Sequence, residues 1–287
     1  MSTLRYRIRH TTRYAYSDPV AVSHNLARLA PRDDGRQRRT AWRLEIAPQP
    51  SRHRRGSDPF GNQIDRFVIQ DPHRELAVTA ESEVEVTPRP APGADVPWDA
   101  PGAHPLAAEP FRYESPLVPR SRALAEFARS DFAPGRGIID AALALTRRIH
   151  AGFAYDPAAT TIATPVHEVL ERRRGVCQDF AQLLCGCLRS LDLPARYVSG
   201  YLETAPPPGA PRLVGADASH AWVQLWTGAA AGWLDLDPTN GCIPDTGHIV
   251  VAWGRDFSDV SPLLGMILGG GSARIQVGVD VERLTAR

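Results

Sequence analysis

Nine prolines fall within the 34 residues from Thr87 to Arg120, and this segment constrains the fold more than any other feature of the sequence. Proline has no backbone N–H and a fixed φ, so this density excludes helix and central strand. Before the segment apolar residues alternate with polar ones, and after it they recur every three or four residues. We therefore predict a β domain over residues 1–88, a linker over residues 89–120 and a second domain over residues 121–287.

The first domain is predicted to be an antiparallel β domain. Apolar and charged residues alternate in its strand-like runs, which is the pattern of a strand with one buried face. These runs cover residues 4–8, 42–46, 64–69 and 84–86, and turn-forming clusters such as Asp58–Asn62 separate them. Nothing in this domain has the residue pattern of a catalytic site.

The second domain is predicted to be α+β, with helices first and a mostly antiparallel sheet after them. Helical periodicity covers residues 124–128 and 138–149, and a third helix follows Gly175 and ends before Pro194. The apolar stripe of this third helix is formed by Phe180, Leu184, Cys187, Leu188 and Leu191. Strand-like runs return at residues 196–202, 220–226, 233–237, 248–253 and 275–281.

Charge and hydropathy limit the partners and the location that can be expected. Thirty-three basic and 32 acidic residues give a net charge of +1, so the excess that binds nucleic acid is missing. The first ten residues contain no apolar run of a secretory signal. The longest apolar stretch, residues 262–271, is about half the length that spans a bilayer. We predict a cytoplasmic protein that binds neither nucleic acid nor membrane.

The four cysteines are predicted to be free thiols, because a reducing compartment disfavours disulfides. Their spacings match no paired zinc-binding pattern. Cys185 and Cys187 lie roughly 200° apart around a helix, which indicates core positions rather than a shared metal. Cys242 falls in a loop without an evident partner.

Cys177 differs from the other thiols in its position. It follows Gly175 and stands in the first helical turn, where free backbone N–H groups and the helix dipole favour a thiolate. Asp179 opposes this effect by its charge but helps the helix to begin. The alternative for Cys177 is an inert structural cysteine, which is the commoner case.

His220 and Asp237 are the candidate base and orienting group for such a thiol. His220 lies on the aromatic face of its predicted strand, opposite the aliphatic residues. A hairpin that pairs Trp226 with Trp233 makes Asp237 the diagonal neighbour of His220, and a slip of two residues puts the two directly opposite. Taken singly, His220 could be a partly buried histidine and Asp237 a turn residue before Pro238.

Three segments resemble the Cys, His and Asp blocks of the transglutaminase-like superfamily. They are residues 174–181 (RGVCQDFA), 219–223 (SHAWV) and 236–240 (LDPTN). The resemblance is greatest to the bacterial branch of the superfamily, which has an N-terminal β domain. Residues 58–62, 197–201 and 254–260 are also similar to that branch.

The resemblance implies a papain-like core with Cys177 as nucleophile, His220 as general base and acid, and Asp237 as the group that orients the imidazole. It implies acyl transfer or hydrolysis at the amide of a glutamine side chain or a peptide, through a thioester, with a protein or peptide as substrate. The backbone N–H of Cys177 would stabilise the oxyanion, and the second donor stays open between Tyr155 and Gln178. No calcium-binding loop and no zinc-binding cysteines of the peptide N-glycanase type are recognisable, so no cofactor is predicted.

Three functions remain open at the level of the sequence. They are an amidase or protease, a cross-linking transglutaminase, and a non-catalytic binding module that retains the fold. Residues 203–216, rich in Pro and Gly, form either a flap over the cleft or an ordinary surface loop. The sequence does not indicate the oligomeric state.

Overall fold

The computed structural model describes residues 2–91, 93–100, 104–204 and 219–284. Most of the segment proposed as a flap or loop, residues 205–216, lies outside this part of the chain. The first region contains five strands, which are β1 (Leu4–Ala27), β2 (Gln37–Ala47), β3 (Arg52–Ser57), β4 (Gln63–Ile69) and β5 (His73–Val86). They form an antiparallel sheet in the order β2-β5-β1-β4-β3, which confirms the predicted antiparallel β region.

The proline-rich segment lies against the second region. The prediction that it contains no helix is wrong at one point, since Leu106–Phe111 form a short 3-10 helix with Pro110 inside it. The carboxylate of Asp95 accepts hydrogen bonds from the backbone N–H groups of Ile139 and Asp140, at 2.8 and 3.1 Å. The segment thereby caps the helix that starts at residue 138, and its role is more than that of a spacer.

The second region contains five helices and a four-stranded sheet in the described residues. The helices are α1 (Arg122–Arg129), α2 (Ile138–Gly152), α3 (Val166–Arg172), α4 (Cys177–Ser190) and α5 (Phe257–Val260). Two short strands, β6 (Ala154–Tyr155) and β7 (Arg174–Gly175), pair in parallel beside α4. The main strands are β8 (Ala195–Leu202), β9 (Ser219–Trp226), β10 (Trp233–Leu236) and β11 (His248–Gly254), in the antiparallel order β10-β9-β8-β11. Helices packed on an antiparallel sheet confirm the predicted α+β class.

The last two strands differ from the sequence prediction, which grouped residues 121–287 as one unit. β12 (Leu263–Gly269) and β13 (Ala273–Leu284) both pair antiparallel with β1 and extend the first sheet. The chain therefore returns to its N-terminal region after completing the second sheet. Hydropathy alone could not reveal this, because a strand pattern does not identify the partner strand. The boundaries at residues 88 and 120 stay predictions.

The two sheets share one buried core. Tyr6 and Ile8 on β1 and Val279 on β13 belong to the same apolar cluster as Leu184 on α4 and Tyr201 on β8. The aliphatic face of the second sheet packs on α4. Its other face carries His220, Trp222 and the polar residues described below.

Two side-chain amides from the first region form hydrogen bonds with the backbone at the outer edge of β11. Gln37 accepts the Val250 N–H and donates to the Val250 carbonyl, both at 2.8 Å. Asn62 accepts the Trp253 N–H at 3.0 Å and donates to the Trp253 carbonyl at 2.8 Å. Each amide pairs the N–H and the carbonyl of one residue, so these backbone groups at the edge of the sheet have partners. The same hydrogen bonds hold β11, the strand that carries His248, against the first region.

Candidate active site

The start of α4 places Cys177 at the surface of the second region. Val176 has no side-chain acceptor, so the carboxylate of Asp179 supplies the cap by accepting the Val176 N–H at 2.8 Å. Thr160 donates to the same carboxylate oxygen at 2.6 Å. A Cβ at Gly175 would lie 2.6 Å from that oxygen, so this position needs glycine. Asp179 thus begins the helix, as the sequence predicted.

Burial raises the pKa of Asp179, although the hydrogen bonds from Thr160 and Val176 oppose this effect. Its side chain is 1 % exposed, and its carboxylate faces the cap rather than solvent. Cys177 itself is partly buried and packs against the apolar core.

The β9–β10 hairpin brings His220 and Asp237 together. The structure pairs Trp226 with Trp233 and Gln224 with Asp235, which is the register proposed from the sequence. Nε2 of His220 lies 2.8 Å from Oδ2 of Asp237. Both side chains are buried, and Asp237 has no exposed surface. The predicted contact between the side chains of His220 and Asp237 is therefore present in the structure.

The two oxygens of Asp237 have different partners. Oδ1 accepts the backbone N–H groups of Thr239 and Asn240 at 2.9 and 3.1 Å, which is the turn-forming role considered from sequence. Oδ2 accepts from Asn240 Nδ2 at 2.6 Å and lies 3.0 Å from His248 Nε2. The turn thus fixes the carboxylate that the His220 imidazole contacts.

These contacts shift the two pKa values in opposite directions. Burial acts to lower the pKa of His220, but the hydrogen bonds and charges of Asp237 and Cys177 outweigh it and raise the pKa to about 9. Burial acts to raise the pKa of Asp237, but hydrogen bonds from His220, His248 and Asn240 hold it well below its usual range. At neutral pH the pair is therefore an imidazolium and a carboxylate.

Cys177 is the cysteine that contributes to the raised pKa of His220, so the two side chains lie near each other. Cys185 and Cys187 are fully buried in the core, as predicted, and burial raises the pKa of Cys185 to about 12. Burial and the charge of Asp237 raise the pKa of Cys242 to about 11. The structure therefore brings together the three residues that the sequence singled out.

Trp222 supports both imidazoles. Its ring is stacked near His220, with centroids 6.1 Å apart, and meets His248 edge-on at 5.4 Å. Its Nε1 donates to Oδ1 of Asp235 at 2.8 Å, which holds the indole in place. A Cβ at Gly200 would lie 2.4 Å from the Trp222 ring, so the indole occupies the space that a side chain there would fill.

His248 is a site residue that the sequence pattern did not identify. Its strand was predicted, but its contact with Asp237 depends on the pairing of β11 with β8, where His248 faces Leu202. Ligand atoms of His220, Asp237 and His248 lie within 4.8 Å of one another and could hold a metal ion. Hydrogen bonds to Oδ2 of Asp237 already account for their convergence.

The two candidates for the second oxyanion donor occupy different surroundings. Tyr155 on β6 pairs with Gly175, and its hydroxyl is close enough to Cys177 for their charges to interact. Burial, followed by the charges of Cys177 and Asp179, raises the pKa of Tyr155. The amide of Gln178 instead donates to the carbonyl of Ile162 at 3.4 Å.

Comparisons with known proteins agree with this architecture. Residues 6–85 match the bacterial transglutaminase-like N-terminal region, and residues 126–238 match the transglutaminase-like superfamily. An uncharacterised protein of Mycobacterium tuberculosis is 44 % identical over 97 % of this chain and 93 % of its own length. One from Mycobacterium leprae is 35 % identical over 98 % of this chain and 99 % of its own.

A solved structure shares the whole fold. A protein of Cytophaga hutchinsonii, described as a candidate cysteine protease, superposes with a TM-score of 0.80 at 20 % identity, over 100 % of this chain and 93 % of that one. The fold, the matched regions and the full-length relatives define one class of protein. The chain belongs to the transglutaminase-like superfamily and carries the bacterial N-terminal region of that family. No helix in the described ranges is both long and apolar enough to cross a bilayer, and the cytoplasmic location stays a prediction.

Proposed function

We propose that the protein is a cysteine-dependent enzyme that opens amide bonds of a protein or peptide substrate through a thioester on Cys177. The observation that carries the proposal is the 2.8 Å contact between His220 and the buried carboxylate of Asp237, together with the contribution of Cys177 to the raised pKa of His220. A nucleophile, a base in contact with it and a group that orients the base are the parts that acyl transfer needs. The structural relative described as a candidate cysteine protease supports the same reaction class.

The first half of the reaction forms the thioester. In the proposed mechanism the proton of the Cys177 thiol rests on the imidazole of His220, whose pKa of about 9 keeps it protonated at neutral pH. The sulfur attacks the amide carbon, and the carbonyl electrons move to oxygen. When the tetrahedral intermediate collapses, the C–N bond breaks and His220 gives its proton to the departing ammonia or amine.

The second half releases the acyl group. His220, now neutral, takes a proton from water or from an amine, which attacks the thioester carbon. The C–S bond breaks, sulfur leaves as the thiolate, and His220 is again the imidazolium. Asp237 keeps one tautomer and one orientation of the ring throughout. Water as acceptor makes the protein an amidase or protease, and an amine makes it a transglutaminase.

We further propose that the backbone N–H of Cys177 and the hydroxyl of Tyr155 stabilise the oxyanion. Of the two side chains considered, Tyr155 has its charge interaction with Cys177, whereas the Gln178 amide is directed to Ile162. A donor aimed at the developing negative charge contributes most when it is already in place before reaction.

The test is incubation with glutamine-containing peptides, with and without a primary amine. Release of ammonia alone indicates an amidase, cleavage of the peptide bond a protease, and incorporation of the amine a transglutaminase. Cys177→Ala should abolish each of these activities, while Cys242→Ala should retain them because burial and the charge of Asp237 raise the pKa of that thiol to about 11. Activity that persists in Cys177→Ala would overturn the proposal. Inactivity of the wild type together with slow alkylation of Cys177 would favour the non-catalytic binding module.

A further inference from the structure

A cavity of about 200 Å³ lies between the second sheet and the loop before β2. It extends along the polar face of the sheet, and His248 forms part of its wall. The charged residues that line it are Asp34, Arg36, Arg89, Arg196 and Asp235. Arg36 also pairs with Asp245, and Arg32 stacks on the Trp253 ring of the cavity wall. Four guanidinium groups therefore stand against three carboxylates, which leaves one positive charge in excess.

Arg196 is the source of this excess. Its guanidinium lies between the indoles of Trp233 and Trp253, with distances of 4.1 and 3.6 Å to the ring centroids. Its Nε donates to Oε1 of Gln224 at 2.7 Å. The residue is 8 % exposed, yet no carboxylate in residues 2–91, 93–100, 104–204 or 219–284 forms an ion pair with it.

The two carboxylates of the cavity have other partners. Asp235 forms an ion pair with Arg89 and accepts from Gln224 and Trp222. Asp34 accepts the backbone N–H groups of Arg36 and Gln37 at 2.8 and 2.9 Å. Neither carboxylate forms an ion pair with Arg196, although the charge of Asp34 opposes the lowering of the Arg196 pKa.

A second cation increases the positive potential at this place. The guanidinium of Arg32 lies 3.4 Å from the centroid of Trp253, whose ring also contacts Arg196. Burial, and then the charge of Arg32, lower the pKa of Arg196 to about 9. A buried cation is costly unless an anion compensates it, and an anion in the cavity would do so.

We propose that this cavity is a binding site for a small monovalent carboxylate, held by the guanidinium of Arg196. The planar guanidinium offers two parallel N–H donors that match a carboxylate. A single negative charge balances the excess, whereas the two aspartates in the wall oppose a dianion. The carboxylate comes either from a free acid or from the C-terminus of a peptide. The proposal does not depend on the reaction at Cys177.

The first test compares an acid with its amide on the full-length protein. N-acetylglycine and N-acetylglycinamide, which differ only in the carboxylate, are titrated by calorimetry and by tryptophan fluorescence. We expect saturable binding of the acid with one site per chain and at least tenfold weaker binding of the amide. A tripeptide with a free C-terminus and its amidated form distinguish the two sources, since only a site open to a chain end binds the tripeptide acid. Equal binding of N-acetylglycine and N-acetylglycinamide, or none, would overturn the proposal.

Variants then locate the site. Arg196→Gln should weaken binding of N-acetylglycine at least tenfold, and Arg196→Lys, which keeps the charge but not the planar fork, should weaken it less. Arg122→Gln is the matched control, because Arg122 is exposed and pairs with Glu126 on α1. Cys177→Ala should bind as the wild type does, which separates this site from the thiol. Unchanged affinity in Arg196→Gln would refute the assignment, and if that variant does not fold, the Lys variant decides.

Discussion

At the residue scale, the Asp237 carboxylate connects the turn after β10 to the imidazole. Oδ1 accepts hydrogen bonds from the backbone of the turn. Oδ2 accepts a hydrogen bond from Asn240 and contacts the imidazoles of His220 and His248. The structural interpretation of this residue as a turn former is therefore confirmed, and its catalytic role stays a prediction. A residue that performs both tasks has its orientation fixed by the backbone, which is the preorganisation that an orienting group needs.

The raised pKa of His220 predicts a pH-dependent stability. The folded pKa is about 9 and the ordinary value about 6.5, so the stabilisation is fully present below pH 6.5 and is lost as the pH rises to about 9. Asp237→Asn removes the charge that raises this pKa, and we expect the stability of the variant to fall less over this range. The measurement is urea unfolding at a series of pH values, together with NMR titration of the His220 ring. The exposed Asp71→Asn is the control, and an unchanged slope in Asp237→Asn would contradict the explanation.

Cys177, His220 and Asp237 could be identified from the sequence because each belongs to a local pattern. Cys177 begins a helix, and the hairpin register relates the other two over a short stretch of chain. His248 was missed because its contact with Asp237 arises from the pairing of two strands that are distant in the chain. A histidine at the start of the next predicted strand was the available signal, and it does not specify a partner.

At the scale of elements, three strands position the imidazole. β8 contributes Gly200, opposite His220 on β9 and Val250 on β11. Trp222 fills the space above Gly200 and contacts both imidazoles. The sheet thus supports His220 through an aromatic ring, and the absence of a side chain on the neighbouring strand makes room for that ring.

Gly200→Ala should disturb this arrangement. The new Cβ would lie 2.2 Å from the Ile249 carbonyl and 2.4 Å from the Trp222 ring, so the indole must move. We expect a stability loss of about 1–3 kcal/mol, the usual cost of overpacking, and a loss of activity. Thermal unfolding and initial rates measure the two effects. Gly35→Ala is the control, since a Cβ there meets nothing within 4 Å. Wild-type rates in a folded Gly200→Ala protein would show that Trp222 does not position His220.

The elements that the sequence predicts have a regular apolar period, and the elements that it does not predict lack one. α1, α2 and α4 could be predicted because each has an apolar stripe of helical period, although α4 is buried on all sides from residue 179 to residue 189. In the sequence, β12 is recognisable only as part of an apolar stretch too short to cross a membrane. Its side chains are largely exposed, so no alternation marks it as a strand. The arginine-rich β3 was missed for the same reason.

At the scale of the whole molecule, the two sheets depend on each other. Asn62 has no exposed surface, and it pairs both backbone groups of Trp253 across the boundary. β12 and β13 bring the C-terminal part of the chain back to β1. The sequence indicated both regions, but not this closure, because contacts between distant segments leave no local period.

Asn62→Ala should lower the stability of the whole molecule and not only that of one loop. It leaves the Trp253 N–H and carbonyl without partners, and each unpaired buried group costs about 1–3 kcal/mol. We expect a loss of at least about 2 kcal/mol in the free energy of unfolding, with one cooperative transition. Chemical denaturation followed by two probes measures this. The exposed Gln49→Ala should behave as the wild type. A loss confined to the first region, seen as two separate transitions, would contradict the interdependence.

The buried imidazole of His10, at the contact between the two sheets, should make the protein less stable at low pH. Its Nδ1 lies 3.0 Å from the Tyr201 hydroxyl, and burial lowers its pKa to about 4. Because the unfolded chain binds a proton near pH 6.5, stability falls as the pH decreases from about 6.5 to 4, by up to about 3 kcal/mol. His10→Gln should flatten this decrease, while the exposed His167→Gln should not. Unfolding measured at several pH values tests it, and identical slopes in all three proteins would refute it.

The most direct test of the central claim is the rate at which iodoacetamide alkylates each thiol between pH 6 and 8, followed by mass spectrometry. Cys242 is the internal reference, because it is also partly buried but has a pKa that burial and the charge of Asp237 raise to about 11. We predict that Cys177 reacts far faster than Cys242, and that His220→Ala removes the difference. Equal and slow alkylation of Cys177 and Cys242 in the wild type would contradict the claim.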